Sequence, residues 1–499
     1  MLIGLMYSRA MLSMGQIALA ACFLLEGHWR EKWNLFRRNK IAILLSGLFL
    51  IHILGLIYTS NHSYAMDDLR IKLPILLFPV IFSSTSFLSK DLFRKLNLLF
   101  VFLVLSKTLI IAGNYFVNRE GMTDLRDAFL GMSHIRFSLM VTLAIVLTLY
   151  YVRDLNRPVF ALGLLLCIYF LWFFLYFELI TGLVVSIFVI PLALALIGSG
   201  NGEVQFHFRA GSWALGTVIL AGLIYITVVG VKFSEKQAIV NVDDEVRTSS
   251  GRPYNQIYKW GKGLNIRENG YLVYQNVSLD ELQDAWNSRS NLKIDYFDTN
   301  YTNTEAVLVR YLASKGLTKD SAGIAGLSDE DVAAIEAGKP NVLYLHRLGF
   351  EMRIMETVWE IHNYFNGGAF NGHSLAMRFE FWKTGWQAWM RHFLLGVGTG
   401  DVEDVMHEQY DLNQSRLSED WRFLPHNQFI TTGLGLGVLG AGYLLISMVL
   451  PMVLKRRDYF VICFMSIAII SMLAENTLGT QIGVAFFAFF NSFYYFRSG

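Results

Sequence analysis

Three residue groups late in the chain have the types and spacing to act on a charged leaving group. Arg378 opens the aromatic run Arg378-Phe-Glu-Phe-Trp382, and a glycine-rich turn follows at Gly396-Val-Gly-Thr-Gly400. Pro425-His-Asn-Gln-Phe429 then stands just before an apolar run that contains Gly433, Gly435, Gly437 and Gly440. A guanidinium bonds two phosphate oxygens through its planar fork and stays charged when partly desolvated, so it suits a diphosphate on which charge develops. An imidazole titrates near neutrality and is the commonest base for a hydroxyl. Arg378 and His426 are therefore the candidate catalytic pair. Taken singly, Arg378 also reads as an arginine snorkelling to a membrane interface, and His426 as a structural histidine at a membrane edge.

The remaining candidates carry less. His362, His373, His392 and His407 have no metal-ligand spacing with a nearby acid, so neither a metal nor a cofactor is expected. The run Gly396–Gly400 is looser than a phosphate loop and has no strand before it, which favours a tight turn. Glu178, between two apolar runs, and Arg136, at the start of another, either form a polar site at membrane depth or are interfacial. The cysteines Cys22, Cys167 and Cys463 all sit in apolar runs, where they read as small buried hydrophobes and not as a disulfide framework.

Composition sets the elements that must position these groups. Of 499 residues, 54% are hydrophobic and 16% charged, against roughly 45–50% and about 25% in a soluble domain. Apolar runs of the ~20 residues needed to cross a membrane recur near 8–25, 40–59, 71–88, 96–117, 135–152, 158–177, 179–198 and 213–232, and again near 427–450, 458–475 and 477–496. The fold expected is an all-α polytopic membrane protein with about eleven spans: a bundle over 1–232, a large, mainly helical insert over 233–426, and a second bundle over 427–499. Within the insert, Ser328 and Asp331 form a capping-box pattern ahead of a helix, and Thr304–Leu317, Tyr344–Phe365 and Ser374–Leu395 read as further helices.

Loop charge gives the orientation, because cytoplasmic loops hold the excess of Lys and Arg. Arg30, Lys32, Arg37, Arg38 and Lys40, then Lys90, Arg94 and Lys95, then Arg153 and Arg157, then Lys455, Arg456 and Arg457 all fall on one side. On the other, Arg70, Lys72, Arg119 and Arg126 are offset by Asp67, Asp68, Glu120, Asp124 and Asp127. The insert is thus expected outside. The same parity puts the N-terminus outside, so that either a helix precedes the first run or that run is a half-span. A net charge of +2 without a basic stripe argues against a nucleic-acid partner.

The stretch from Arg378 to Gly442 resembles the C-terminal half of the O-antigen ligase and polymerase family of bacterial envelope enzymes. That family's pattern is an arginine among aromatics, a helix ending in a Gly-x-Gly turn, and a His-Asn pair before a glycine-rich span, here Arg378 with Trp382, Gly396-Val-Gly398 and His426-Asn427. The resemblance implies a glycosyltransferase C-like architecture in the bacterial inner membrane, with the insert in the periplasm. It implies inverting, metal-independent transfer of a glycan from an undecaprenyl-pyrophosphate carrier to a sugar hydroxyl on lipid A-core. A polymerase or a protein O-glycan transferase shares this chemistry with another acceptor, and a transporter or flippase stands outside it. In this reading Arg378 grips the pyrophosphate, His426 activates or positions the acceptor hydroxyl, and Asn427 and Trp382 line the substrate. One departure is plain: where the family often carries a second arginine before a span, this chain reads Leu179-Ile180-Thr181-Gly182. Arg136, Arg70 or Lys72 replaces that cation, or the substrate is held differently, or activity is lost.

Overall fold

The computed structural model describes residues 1–497 apart from 86–87, 119–124, 200–202, 262–263, 296–302 and 348. Arg119, Glu120 and Asp124, used above for sidedness, lie outside the described residues, as does the side chain of Arg126. The chain forms two compact units. The first comprises Met1–Ile219, Phe381–Asn413 and Phe423–Gly499, and the second Leu220–Glu380 and Gln414–Arg422.

The helices are α1 (Leu2–Tyr7), α2 (Arg9–Leu25), α3 (Trp29–Arg38), α4 (Lys40–Leu54), α5 (His62–Ser84), α6 (Lys90–Asn118), α7 (His134–Val152), α8 (Arg157–Tyr176), α9 (Ile180–Ile197) and α10 (Glu203–Glu235). They continue with α11 (Leu279–Arg289), α12 (Asn303–Ser314), α13 (Ser321–Ala325), α14 (Asp329–Glu336), α15 (Gly349–Phe365) and α16 (Ser374–Arg391), and end with α17 (Val402–Leu412), α18 (Gln428–Leu454), α19 (Tyr459–Ala474) and α20 (Gln481–Tyr495). The boundary between the units falls inside α10 and again inside α16. Among the described residues one two-stranded antiparallel pair, β1 (Arg267–Glu268) with β2 (Tyr271–Leu272), interrupts the helices.

Polar residues in the connections start the spans by accepting the backbone N–H groups that a first turn leaves unbonded. Asn39 caps α4, Asn61 caps α5, Asn156 caps α8 and Asp458 caps α19. Among the described residues, seven helices are long and apolar enough to cross a membrane: α4 with the turn that extends it to Ile57, α6, α7, α8, α9, α18, and α10 from Phe206. The pair α2 and α3 makes an eighth if counted together, although α3 turns 112° away from α2.

The eleven expected spans therefore resolve differently. α5 begins at His62, not near residue 71, and takes Asp67, Asp68, Arg70 and Lys72 into the helix along with Pro74 and Pro79. Those charges dilute its apolar run. α19 and α20 have only 16 and 15 residues, or roughly 24 Å of helix against a hydrocarbon core of about 30 Å.

Within the first unit α7 is the most enclosed span, packed by α6, α8, α9 and α19. Lipid is as apolar as leucine, so close packing and internal hydrogen bonds, not escape from water, hold such helices together. Aromatic rings of α20 supply much of that packing: Phe493 stacks on Phe93 of α6 with centroids 4.7 Å apart, and Phe490 meets Phe100 edge-on at 4.8 Å. Buried polar groups are bonded across helices, as in Thr142 to Ser186 (2.9 Å) and Tyr494 to Asn97 (3.1 Å).

The second unit has its own core of Leu282, Trp286, Leu308, Tyr311, Leu312 and Ile335. The capping box on α14 forms: the Ser328 hydroxyl accepts Asp331 N–H and the Asp331 carboxylate accepts Ser328 N–H. The same carboxylate takes the Tyr311 hydroxyl and the Lys315 ammonium (2.6 Å).

Candidate functional site

His426 stands immediately before α18, in a left-handed backbone conformation (φ 48°) that costs an L-residue roughly 1–2 kcal/mol. Its neighbours hold it there. Asn427 caps α18 through Oδ1, which accepts the Phe429 and Ile430 N–H groups at 3.0 and 3.1 Å, while its Nδ2 donates to Leu473 O at 3.0 Å. Gln428 accepts Leu478 N–H at 2.8 Å, and the Thr431 hydroxyl donates to Asn476 at 2.7 Å. The start of α18 is thereby tied to the connection between α19 and α20. Phe381 lies against the imidazole face with centroids 5.5 Å apart.

That connection carries a residue the sequence reading passed over. Glu475 closes α19, its side chain 10% exposed, and Oε2 comes within 3.5 Å of His426 Nδ1. A carboxylate facing Nδ1 favours the tautomer with the proton on that nitrogen, which leaves the Nε2 lone pair available as a base. Arg136, half-buried in the first turn of α7, feels the charges of Glu475 and of Arg9. Glu475 is thus the acid beside His426, and its charge is felt at Arg136. Glu178, the acid expected near Arg136, is not among the charges acting on it.

The other expected cations separate. Lys72 is buried and paired with Asp68 one turn earlier on α5. The pair lines a cleft of about 70 Å3 with His52, Tyr64, Gln428 and Asn476. Arg70, two residues away, is exposed and lines a different cavity, of about 900 Å3, between α2 and α5. Apolar side chains such as Ile17, Ile71 and Leu77 form most of its wall, and Gln16 and Gln481 also face it.

Asn427 was expected to line the substrate, yet both ends of its amide serve the backbone. Trp382 lies on α16 in the first unit and is half-buried. Arg378, also half-buried, lies on the part of α16 that belongs to the second unit. There α16 is held through Glu380, which accepts the Tyr364 hydroxyl at 2.8 Å and that of Ser415 at 2.7 Å.

The glycine turn is structural. Gly396 N–H donates to His392 O, Val397 N–H to Leu434 O, Gly398 N–H to Gly435 O, Thr399 N–H to Gly55 O and Gly400 N–H to the Thr59 hydroxyl. No backbone donor in the run is left for a phosphate. The Leu434 and Gly435 carbonyls are open because α18 breaks at Gly437 (φ 66°), and Val438 N–H turns to Phe393 O instead. Asp401, just after the turn, accepts the Ser60 and Asn61 N–H groups and the Thr59 hydroxyl, fixing the link between α4 and α5. Burial alone would raise its pKa, but these bonds outweigh burial and hold it below the usual carboxylate range. Among the described residues no three His, Cys, Asp or Glu side chains gather as a metal-binding group.

With seven helices among the described residues long and apolar enough to cross a membrane, or eight with the bent pair, this is a multi-pass membrane protein. Residues 340–445 match the family model described as O-antigen ligase, so that segment of the chain is similar to that family. No curated protein matches the sequence.

Proposed function

We propose that the protein is a ligase of the bacterial inner membrane that moves a glycan from an undecaprenyl-pyrophosphate carrier to a sugar hydroxyl of lipid A-core at the periplasmic face. His426 Nε2 takes the proton of the acceptor hydroxyl. The freed oxygen attacks the anomeric carbon from the side opposite the pyrophosphate, the bond from that carbon to the pyrophosphate oxygen breaks, and configuration inverts. Arg136 balances the charge left on the departing carrier pyrophosphate. The reaction needs no metal, so a chelator leaves its rate unchanged.

The observation that carries this reading is the 3.5 Å approach of Glu475 Oε2 to His426 Nδ1. A carboxylate beside one ring nitrogen orients a catalytic imidazole and favours one tautomer. Arg136 is preferred as the second cation because Lys72 is committed to Asp68 and Arg70 faces another cavity. That larger cavity, apolar along most of its length with a guanidinium among its lining groups, is where the carrier's polyprenyl tail is placed. The segment similar to the O-antigen ligase family contains His426 and also Arg378, whose proposed role in gripping a pyrophosphate rests on that similarity.

A deletion strain separates the acceptors on a lipopolysaccharide gel. Loss of a ligase leaves bare core with carrier-linked polymer accumulating. Core bearing a single repeat would instead identify a polymerase, and unaltered lipopolysaccharide would refute both.

A further inference from the structure

The basic segment after the first apolar run is not a loop but the ten-residue helix α3, joined to α2 by a tight turn at Gly27 (φ 72°) and His28 (φ 57°). It lies at the end of the bundle away from His426. α4 runs from Lys40 beside α3 to Gly55 beside Thr399, and α18 runs antiparallel to it, with Leu436 near Gly55 and the Tyr443 hydroxyl on Leu44 O. The turn is locked by Lys32, which folds back to donate to Phe23 O at 2.7 Å, pairs with Glu26 at 2.9 Å, and sits 4.2 Å above the Phe23 ring.

The faces of α3 are segregated. Trp29, Trp33 and Phe36 share one arc at spacings of three and four, with Trp33 stacked on Phe36 at 5.8 Å. Trp29 and Trp33 are nevertheless 51% and 57% exposed, so the chain itself does not cover them. Arg30, Arg37 and Arg38 occupy the adjoining arc and Lys40 follows, all exposed. Among the described residues none of these four cations pairs with a carboxylate, and Arg37 instead lies 6.0 Å from the Trp33 ring centroid. A helix turned 112° from the apolar helix before it, with indoles on one side and unpaired guanidinium groups on the next, has the form of a helix lying in a membrane surface.

We infer that α3 docks on the anionic phospholipid headgroups of the leaflet at that end of the bundle, the tryptophans entering the acyl boundary and Arg30, Arg37 and Arg38 meeting phosphates. Charge complementarity selects this occupant over a neutral lipid surface. Each basic residue at an anionic surface strengthens binding roughly fivefold, so three together contribute on the order of 100-fold. Because α2 lines the large cavity, the docking also fixes one wall of it.

The full-length protein in nanodiscs provides the test, with phosphatidylcholine alone compared with an equal mixture of phosphatidylcholine and phosphatidylglycerol. The wild type is expected to melt several degrees higher in the mixed discs and to retain phosphatidylglycerol in native mass spectrometry. The variant Arg30→Gln/Arg37→Gln/Arg38→Gln is expected to match the wild type in phosphatidylcholine, which shows that it folds, and to lose most of the shift and the retained lipid. A control, Lys455→Gln/Arg456→Gln/Arg457→Gln, is expected to keep both. No shift in the wild type, a full shift in the α3 variant, or an equal loss in the control would overturn the inference.

Discussion

His426 Nδ1 faces Glu475 Oε2 at 3.5 Å, across the gap between the start of α18 and the end of α19. The histidine is 34% exposed on its side chain and the glutamate 10%, so the pair has one wet and one enclosed member. Such a pair lets an imidazole reach an incoming hydroxyl while its second nitrogen stays fixed.

The Asp68–Lys72 pair is expected to be structural. Removing one partner of a buried ion pair typically costs about 3–5 kcal/mol, because the other charge is left without compensation. Lys72→Met should therefore lower the unfolding midpoint in detergent, and adding Asp68→Asn should restore most of the loss. A second loss of similar size from Asp68→Asn would show that the two act separately.

Gly437 is expected to tolerate no side chain. A left-handed residue costs roughly 1–2 kcal/mol, and a Cβ there would lie 2.0 Å from Leu394 O, where the break in α18 meets the glycine turn. Gly437→Ala should yield little folded protein by size-exclusion chromatography. Recovery at the wild-type level would mean that this junction yields easily.

Stability should fall with acid through His373. Burial first, then the Arg310 and Arg353 guanidinium groups, push this imidazole down to about 4, and Glu360 at 3.8 Å does not reverse it. The unfolded chain protonates near 6.5 while the folded one does not, so stability is full above that pH and is lost as pH falls from there towards 4. Between about pH 7.5 and about pH 5 the wild type should lose more melting temperature than His373→Gln. Equal losses would remove His373 as a source of the dependence.

The spans were legible where apolar runs are long and uninterrupted, as in α4, α6, α7 and α9, and the capping box on α14 could be read from Ser328 and Asp331 alone. α5 was misplaced because Asp67 to Lys72 look like a loop until Asp68 and Lys72 are seen to neutralise each other one helical turn apart. α3 looked like a loop because it is short and basic, although its tryptophans repeat at a helical spacing. The histidine and the arginines could be nominated by type, but the capping role of Asn427 could not be told from a ligand's role, because the two look alike in sequence. Glu475 was missed as a lone acid between two short apolar runs. The available signal was an ionisable residue at the end of a span, the same argument that singled out Arg136.

The most direct test is the transfer kinetics of the purified Glu475→Gln variant, with carrier-linked glycan as donor. Losing an orienting carboxylate should lower kcat by roughly 100-fold or more with KM for the acceptor little changed, and Glu475→Asp should recover part of it. A kcat within about twofold of the wild type, with its pH profile unmoved, would contradict the account.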